Sequence, residues 1–202
     1  MSTKQLDCYP HAVPYDSAAT RARLLEAAYA EFSERGLAGA RVERIAAAAA
    51  ANKQAIYAYF GSKDGLFDAM LGLRLGNLAD AVPFTPDDLP GYAGALFDAL
   101  ADSPELVRLT QWKWLERADA SAEEVESYRA KARALVTATG GPLAEVAAVD
   151  TLLLVLALST AWSTAPPGVR SLGATSAAAR HAAHRAAVVA AAAAVTDALT
   201  QA

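Results

Sequence analysis

From Arg41 to Lys63 the chain reads RVERIAAAAAANKQAIYAYFGSK, two short apolar patterns separated by alanines. Ile45, Ala46 and Ala49 fall at i, i+1 and i+4, the face of a short helix. From about Lys53 to Tyr59, the residues Ala55, Ile56, Tyr59 and Phe60 give a second inward face. Two helices this short and this close predict a helix-turn-helix, at about residues 42–61, whose second helix enters a DNA major groove. Upstream, Ser17 caps a helix carrying Leu24, Leu25, Ala28 and Phe32 on one side, and Arg35-Gly36 supplies a cation and a left-handed stop. Leu37 to Ala40 reads as a short loop, and residues 1–16, with Pro10 and Pro14, as a loose arm.

Downstream, Ser62 caps a helix to about Val82 with Leu66, Phe67, Met70, Leu71, Leu73 and Leu75 as its apolar face. Pro83 to Gly91 is a connection. Leu96, Phe97 and Leu100 mark the next helix, ending near Asp102, and Ser103-Pro104-Glu105 starts another through Glu116. Ser121 and Glu124 form a capping box opening a helix to about Ala138, which Gly140-Gly141-Pro142 closes. Leu143 to Ala165 is apolar on every side, so it needs cover from its own domain and from a partner subunit. Residues 176–200 form an alanine-rich helix with Val188, Val195 and Leu199 on one stripe. Every element predicted is helical.

Composition supports an all-α fold: 54% of the 202 residues are hydrophobic and alanine abounds. The net charge of −4 alone argues against a nucleic-acid binder. Its distribution reverses that: residues 1–63 carry +2 and residues 64–202 carry −6. A basic head on an acidic body fits a protein that meets DNA at one end. The lone Cys8 excludes an intrachain disulfide and reads as incidental rather than as a redox sensor. No signal peptide is apparent. The apolar segment from Val146 holds Asp150 and lacks a basic flank, so it reads as a buried helix and the protein as cytoplasmic, without a membrane partner.

The DNA-facing candidates are Thr20, Arg41, Arg44, Asn52, Lys53, Gln54, Ala55, Tyr57, Tyr59 and Lys63. Gln54 is the candidate base reader, since its amide pairs bidentately with adenine. Lys53, Tyr57, Tyr59 and Lys63 suit phosphate, and Thr20 sits near a helix start that attracts anions. His181 and His184 share a face, yet no acid or cysteine joins them, so no metal or other cofactor is expected. No nucleophile with its base, acid/base pair or phosphate-cradling loop marks an enzyme. A helical protein-interaction module without specific DNA binding is the alternative.

The run NKQAIYAYFGSKDGLF closely resembles the recognition-helix signature of the TetR family of bacterial transcriptional repressors, and TRARLLEAAYAEFSERGLAGARVERIA resembles that family's first helix and approach to the second. The resemblance spans Thr20 to Leu71. Two positions depart: Ala50 stands where the turn usually holds glycine, and Arg41 where the second helix usually starts with Ser or Thr. The expectation is an ordinary turn with Ala50 strained, rather than a break moved to Asn52.

What the resemblance implies is a DNA-binding domain over 17–63 and an effector-binding, dimerising helical domain over 64–202. It implies a homodimer joined through the last two long helices, acting on a palindromic operator. The helix after Ser62 would carry the switch, released by a small apolar or aromatic effector. Phe97, Trp112, Trp114, Tyr128 and Trp162 are the candidate ligand contacts, with a plain core role as the competing reading.

Overall fold

The computed structural model describes residues 17–116, 119–140, 144–173 and 176–200. The arm with Cys8, Leu143 and the side chain of Leu199 lie outside the described residues. The described residues form ten helices: α1 Ser17–Gly39, α2 Val42–Ala48, α3 Lys53–Phe60, α4 Lys63–Ala81, α5 Leu89–Ala101, α6 Pro104–Glu116, α7 Ala122–Ala138, α8 Glu145–Thr164, α9 Pro167–Arg170 and α10 Ala177–Thr200.

The N-terminal core gathers Leu24, Ala28 and Phe32 of α1, Ile45 of α2, Ile56 of α3, and Leu66, Phe67 and Met70 of α4. Phe32 and Phe67 meet edge to face, ring centroids 5.1 Å apart. Two α6 residues, Leu106 and Leu109, join this core, so α6 plugs the C-terminal domain into the N-terminal one. Gly36 turns the chain with φ 69°, but helical backbone resumes through Gly39 where a loop was expected. A Cβ on Gly36 would lie 3.5 Å from the Trp112 ring, which packs on the same core from α6.

In the C-terminal domain α5 is the central element, packing on α8, α10 and α6. It begins at Leu89, capped by Asp88, so Pro90 lies in its first turn and not in the preceding connection. Gly94 allows a close approach to α10, because a Cβ there would stand 2.9 Å from Val189 and 3.0 Å from the Arg185 guanidinium. The capping box of Ser121 and Glu124 forms as expected, and Glu124 also pairs with Lys113 of α6.

Two expectations are corrected by packing, those for Leu73 and Val188. Leu73 faces solvent, one position off the α4 stripe that buries Met70 and Leu71. Helix α8 has the cover expected from its own domain along one side, where Ala148, Thr151, Leu152, Val155 and Ser159 are buried, while Val146, Leu153 and Leu154 are exposed. By length and mean hydropathy α8 passes for a membrane span, but it packs on α5, α7 and α10. Val188, expected with Val195 and Leu199 on one stripe of a dimerising helix, is 3% exposed among Ala93, Phe97, Val155 and Ala192 of its own chain. The outward face of α10 is alanine instead: Ala179, Ala183, Ala186, Ala187, Ala190 and Ala194.

Candidate nucleic-acid interface

The turn between α2 and α3 decides how the recognition helix is presented. Ala49 closes α2 in helical conformation, and Ala50 then takes φ 49°, the one positive φ outside glycine among the described residues. The Ala51 N–H donates to the Ala46 carbonyl at 2.9 Å and the Ala50 N–H to the Ala47 carbonyl at 3.1 Å. These are the paired 6→1 and 5→2 bonds of a Schellman stop, built with alanine at the position glycine usually holds. Asn52 keeps an extended backbone and caps α3, its Oδ1 accepting from the Ala55 N–H at 2.8 Å. The break has not moved. Left-handed alanine costs about 1–2 kcal/mol, so Ala50→Gly is expected to raise stability by up to about 1 kcal/mol once glycine's unfolded-state entropy is subtracted. A lower urea midpoint for that variant would contradict the strain.

Two contacts from α1 fix this unit. Arg23 Nε donates to the Ala49 carbonyl at 3.0 Å, serving an otherwise orphaned group at the end of α2. Glu31 accepts from the Arg41 backbone N–H at 3.0 Å and from Arg44 Nε at 2.8 Å. Arg41 caps α2 without a side-chain hydrogen bond, and the carboxylate on α1 takes that work over. The Arg44 hydrogen bond holds Glu31 below the usual carboxylate range, against the opposing effect of desolvation. Neither Arg23 nor Glu31 stands out in sequence, since these contacts span ten residues or more.

The exposed face of α3 consists of Lys53, Gln54, Tyr57 and Ala58, with Asn52 at its start. Gln54 is open for a base edge. Tyr57 is outward, with the Lys53 ammonium 5.9 Å from its ring centroid. Lys53 is paired with Glu43, and that hydrogen bond raises the lysine pKa and lowers the glutamate's. Arg41 is exposed, and its charge helps to lower the Glu43 pKa without a hydrogen bond or ion pair of its side chain among the described residues.

Other expected DNA contacts turn inward. Thr20 is 3% exposed and accepts a hydrogen bond from Arg23. Ala55 is 8% exposed because it packs under the helix with Ile56. Tyr59 is half-buried at the edge of the Phe60 ring. Arg44 is held by Glu31 and the Gly39 carbonyl. Lys63 donates to the Leu37 carbonyl at 2.8 Å and the Ala40 carbonyl at 3.4 Å, bracing the chain after Gly36. For Arg44 and Lys63 the reason is shared: a three-helix unit this small spends polar side chains on its own loop and cap groups.

The candidate ligand contacts do not come together as one group. Phe97 and Trp162 do meet, ring centroids 6.3 Å apart. His181 and His184 pack on both rings, and Arg170 and Arg180 each stand 5.4 Å from Trp162. Burial lowers the His184 pKa. Trp112 instead lies in the seam between α1 and α6 under Arg108. Trp114 is 60% exposed, and Tyr128 belongs to α7, near Tyr92. No group of three or more metal-ligating side chains occurs among the described residues.

With this geometry in view, known proteins fall into line. Residues 24–70 match the family described as bacterial regulatory proteins, tetR family. Residues 88–193 match the tetracyclin repressor-like C-terminal domain. The transcriptional repressor SCO4008 of Streptomyces coelicolor is 40% identical over 162 residues, covering 78% of this chain and 84% of that protein. The crystal structure of SCO4942 from Streptomyces coelicolor, a candidate transcriptional regulator, superposes with a TM-score of 0.72 at 36% identity, over 86% of this chain and 96% of that one. The repressor NicS of Pseudomonas putida is 46% identical over 52 residues, 26% of this chain and 24% of its own. A helix-turn-helix with an outward recognition face, joined through α4 and α6 to a helical C-terminal domain, is thus shared over most of the chain: it belongs to the TetR family of DNA-binding bacterial transcriptional regulators.

Proposed function

We propose that the chain acts as a cytoplasmic, non-enzymatic homodimeric repressor that binds a palindromic operator and leaves it when a small apolar or aromatic effector binds. The arm is residues 1–16, the DNA-binding domain 17–63 and the effector and dimerisation domain 64–202. The carrying observation is the exposed Gln54–Tyr57 face of α3, seated by the Schellman turn. Two such faces would lie about 34–36 Å apart, one DNA turn. The apolar exposed side of α8 and the alanine face of α10 supply the surface for a second copy. The Phe97–Trp162 pair is the part of the candidate ligand set that supports an effector seat.

The test is binding to DNA flanking the protein's own gene, by fluorescence anisotropy across a salt series. Arg41→Ala is expected to weaken every sequence equally and flatten the log-log salt slope by about 1, as loss of one phosphate contact does. Lys63, being engaged by carbonyls, gives way to Arg41 in this role. Gln54→Ala is expected to lose about 1–3 kcal/mol on the operator and relax preference at one base pair. Equal loss on all sequences for Gln54→Ala would remove it as the reader. No preference of the wild type for its flanking DNA over random duplex would favour the interaction-module reading.

A further inference from the structure

Between α1, α4, α5 and the start of α6 lies an open crevice of about 250 Å³, lined by Tyr29, Arg74, Asn77, Leu78, Ala81, Ala99, Ser103 and Leu106. It shares no residue with the Phe97–Trp162 cluster. Ala99 and Phe97, two apart on α5, project to nearly opposite sides of that helix. The space persists because Ala81 and Ala99 present only methyl groups where their helices face the crevice.

Its chemistry is mixed and charge-balanced. The Arg74 guanidinium lies 4.1 Å from the Tyr29 ring centroid and is paired with Glu26. Glu105 and Arg108 also act on the Tyr29 phenol, one of each sign. The Arg74 guanidinium, the one charged group in the lining, is already held by Glu26, so an anionic head would have to displace that carboxylate and a cationic one would face the guanidinium. The polar groups left over are neutral: neither the Asn77 amide nor the Ser103 hydroxyl has a hydrogen-bond partner among the described residues. Leu78, Ala81, Ala99 and Leu106 make the apolar lining. The volume falls just under the roughly 300–1,000 Å³ of drug-sized pockets, which suits one ring with a short polar substituent.

We infer that this crevice is a second ligand site, for a compact neutral amphiphile such as an aromatic or short-chain amide. Its position gives the site a consequence. Tyr29 comes from the DNA-reading domain, four lining residues from α4, and the remainder from α5, α6 and Ser103 between them. An occupant touching all three binds one α4 angle better than another, and operator affinity shifts by that ratio.

The experiment is isothermal titration of the full-length protein with benzamide, and with benzoate and benzylamine as charged counterparts. Benzamide is expected to bind in the millimolar range, with both charged probes weaker by about tenfold or more. Ala99→Leu and Ala81→Leu fill the crevice and are expected to weaken benzamide by about tenfold. Ala81 is exposed, so that variant folds even where Ala99→Leu does not. Trp162→Leu removes the effector seat proposed above, so the benzamide binding that survives in this variant belongs to the crevice. Saturating benzamide is expected to change operator affinity by about fivefold in the wild type and not in Ala81→Leu. No benzamide heat, or binding lost in Trp162→Leu and kept in Ala81→Leu, would overturn the site. Benzoate binding as tightly as benzamide would overturn its neutral class, and an unchanged operator affinity its coupling.

Discussion

A chain carrying both Ala186→Glu and Ala190→Glu is expected to sediment as a folded monomer and to bind its operator about a hundredfold or more weakly. The loss follows from avidity: two heads joined by one interface gain about 10²–10⁴ over a single head. Both alanines lie on the exposed face of α10, so glutamate there meets water in the free chain and like charge in a dimer. Val188→Glu makes the contrast. That side chain packs beside Phe97 and Val155, and an unpaired charge buried there costs several kcal/mol, a large share of any domain's stability. It is expected to abolish soluble protein rather than yield monomers. Sedimentation velocity with circular dichroism separates the two. A double variant that stays dimeric at micromolar concentration would place the interface elsewhere.

The Val188 case shows where sequence pattern stops being informative. In α2 and α3, two or three large apolar residues stand among polar ones, so Ile45 and Ile56 mark the inward face without ambiguity, and both are fully buried. In α10 about half the positions are alanine, and an alanine face looks the same whether it is inside or outside. Valine is then the only cue, and it marks the face turned to α5. The turn at Ala50 was legible because the spacing from Ile45 to Ile56 matches the family without insertion, which favoured Ala50 over a break moved to Asn52. The α1 contacts were not legible. Arg23 to Ala49 and Glu31 to Arg44 span 26 and 13 residues, and no periodicity records which cation a distant acid will hold. The same limit misplaced Lys63 and Arg44, whose charge suggested phosphate before their partners were visible. The aromatic candidates divided for a related reason: Trp112 and Trp162 are equally apolar in sequence, yet one closes the seam on Gly36 and the other packs on Phe97.

Replacing Glu31 by glutamine is expected to destabilise the N-terminal domain by about 1–2 kcal/mol at neutral pH, the range of a charge-assisted hydrogen bond trimmed by the exposure of Arg44. A capping box would put Ser or Thr at the first position of α2 and an acid three residues later, reaching back to the cap N–H. This chain has Arg41 and Arg44 at those two positions, both cations, neither able to accept. Glu31 of α1, its side chain only 10% exposed, supplies the missing acceptor to both. Its pKa is lowered in the folded protein, chiefly by Arg44. The stabilisation is therefore full above the unfolded value of about 4.5 and is lost as pH falls through the depressed folded value. Urea midpoints of wild type and Glu31→Gln should be well separated at pH 7 and converge in acid below that value. Because α2 seats α3, operator binding by the variant should fall with the loss of order at the turn, while the C-terminal domain keeps its dimer. A gap between midpoints that is the same at pH 7 and in strong acid would show that Glu31 acts through packing and not through its charge.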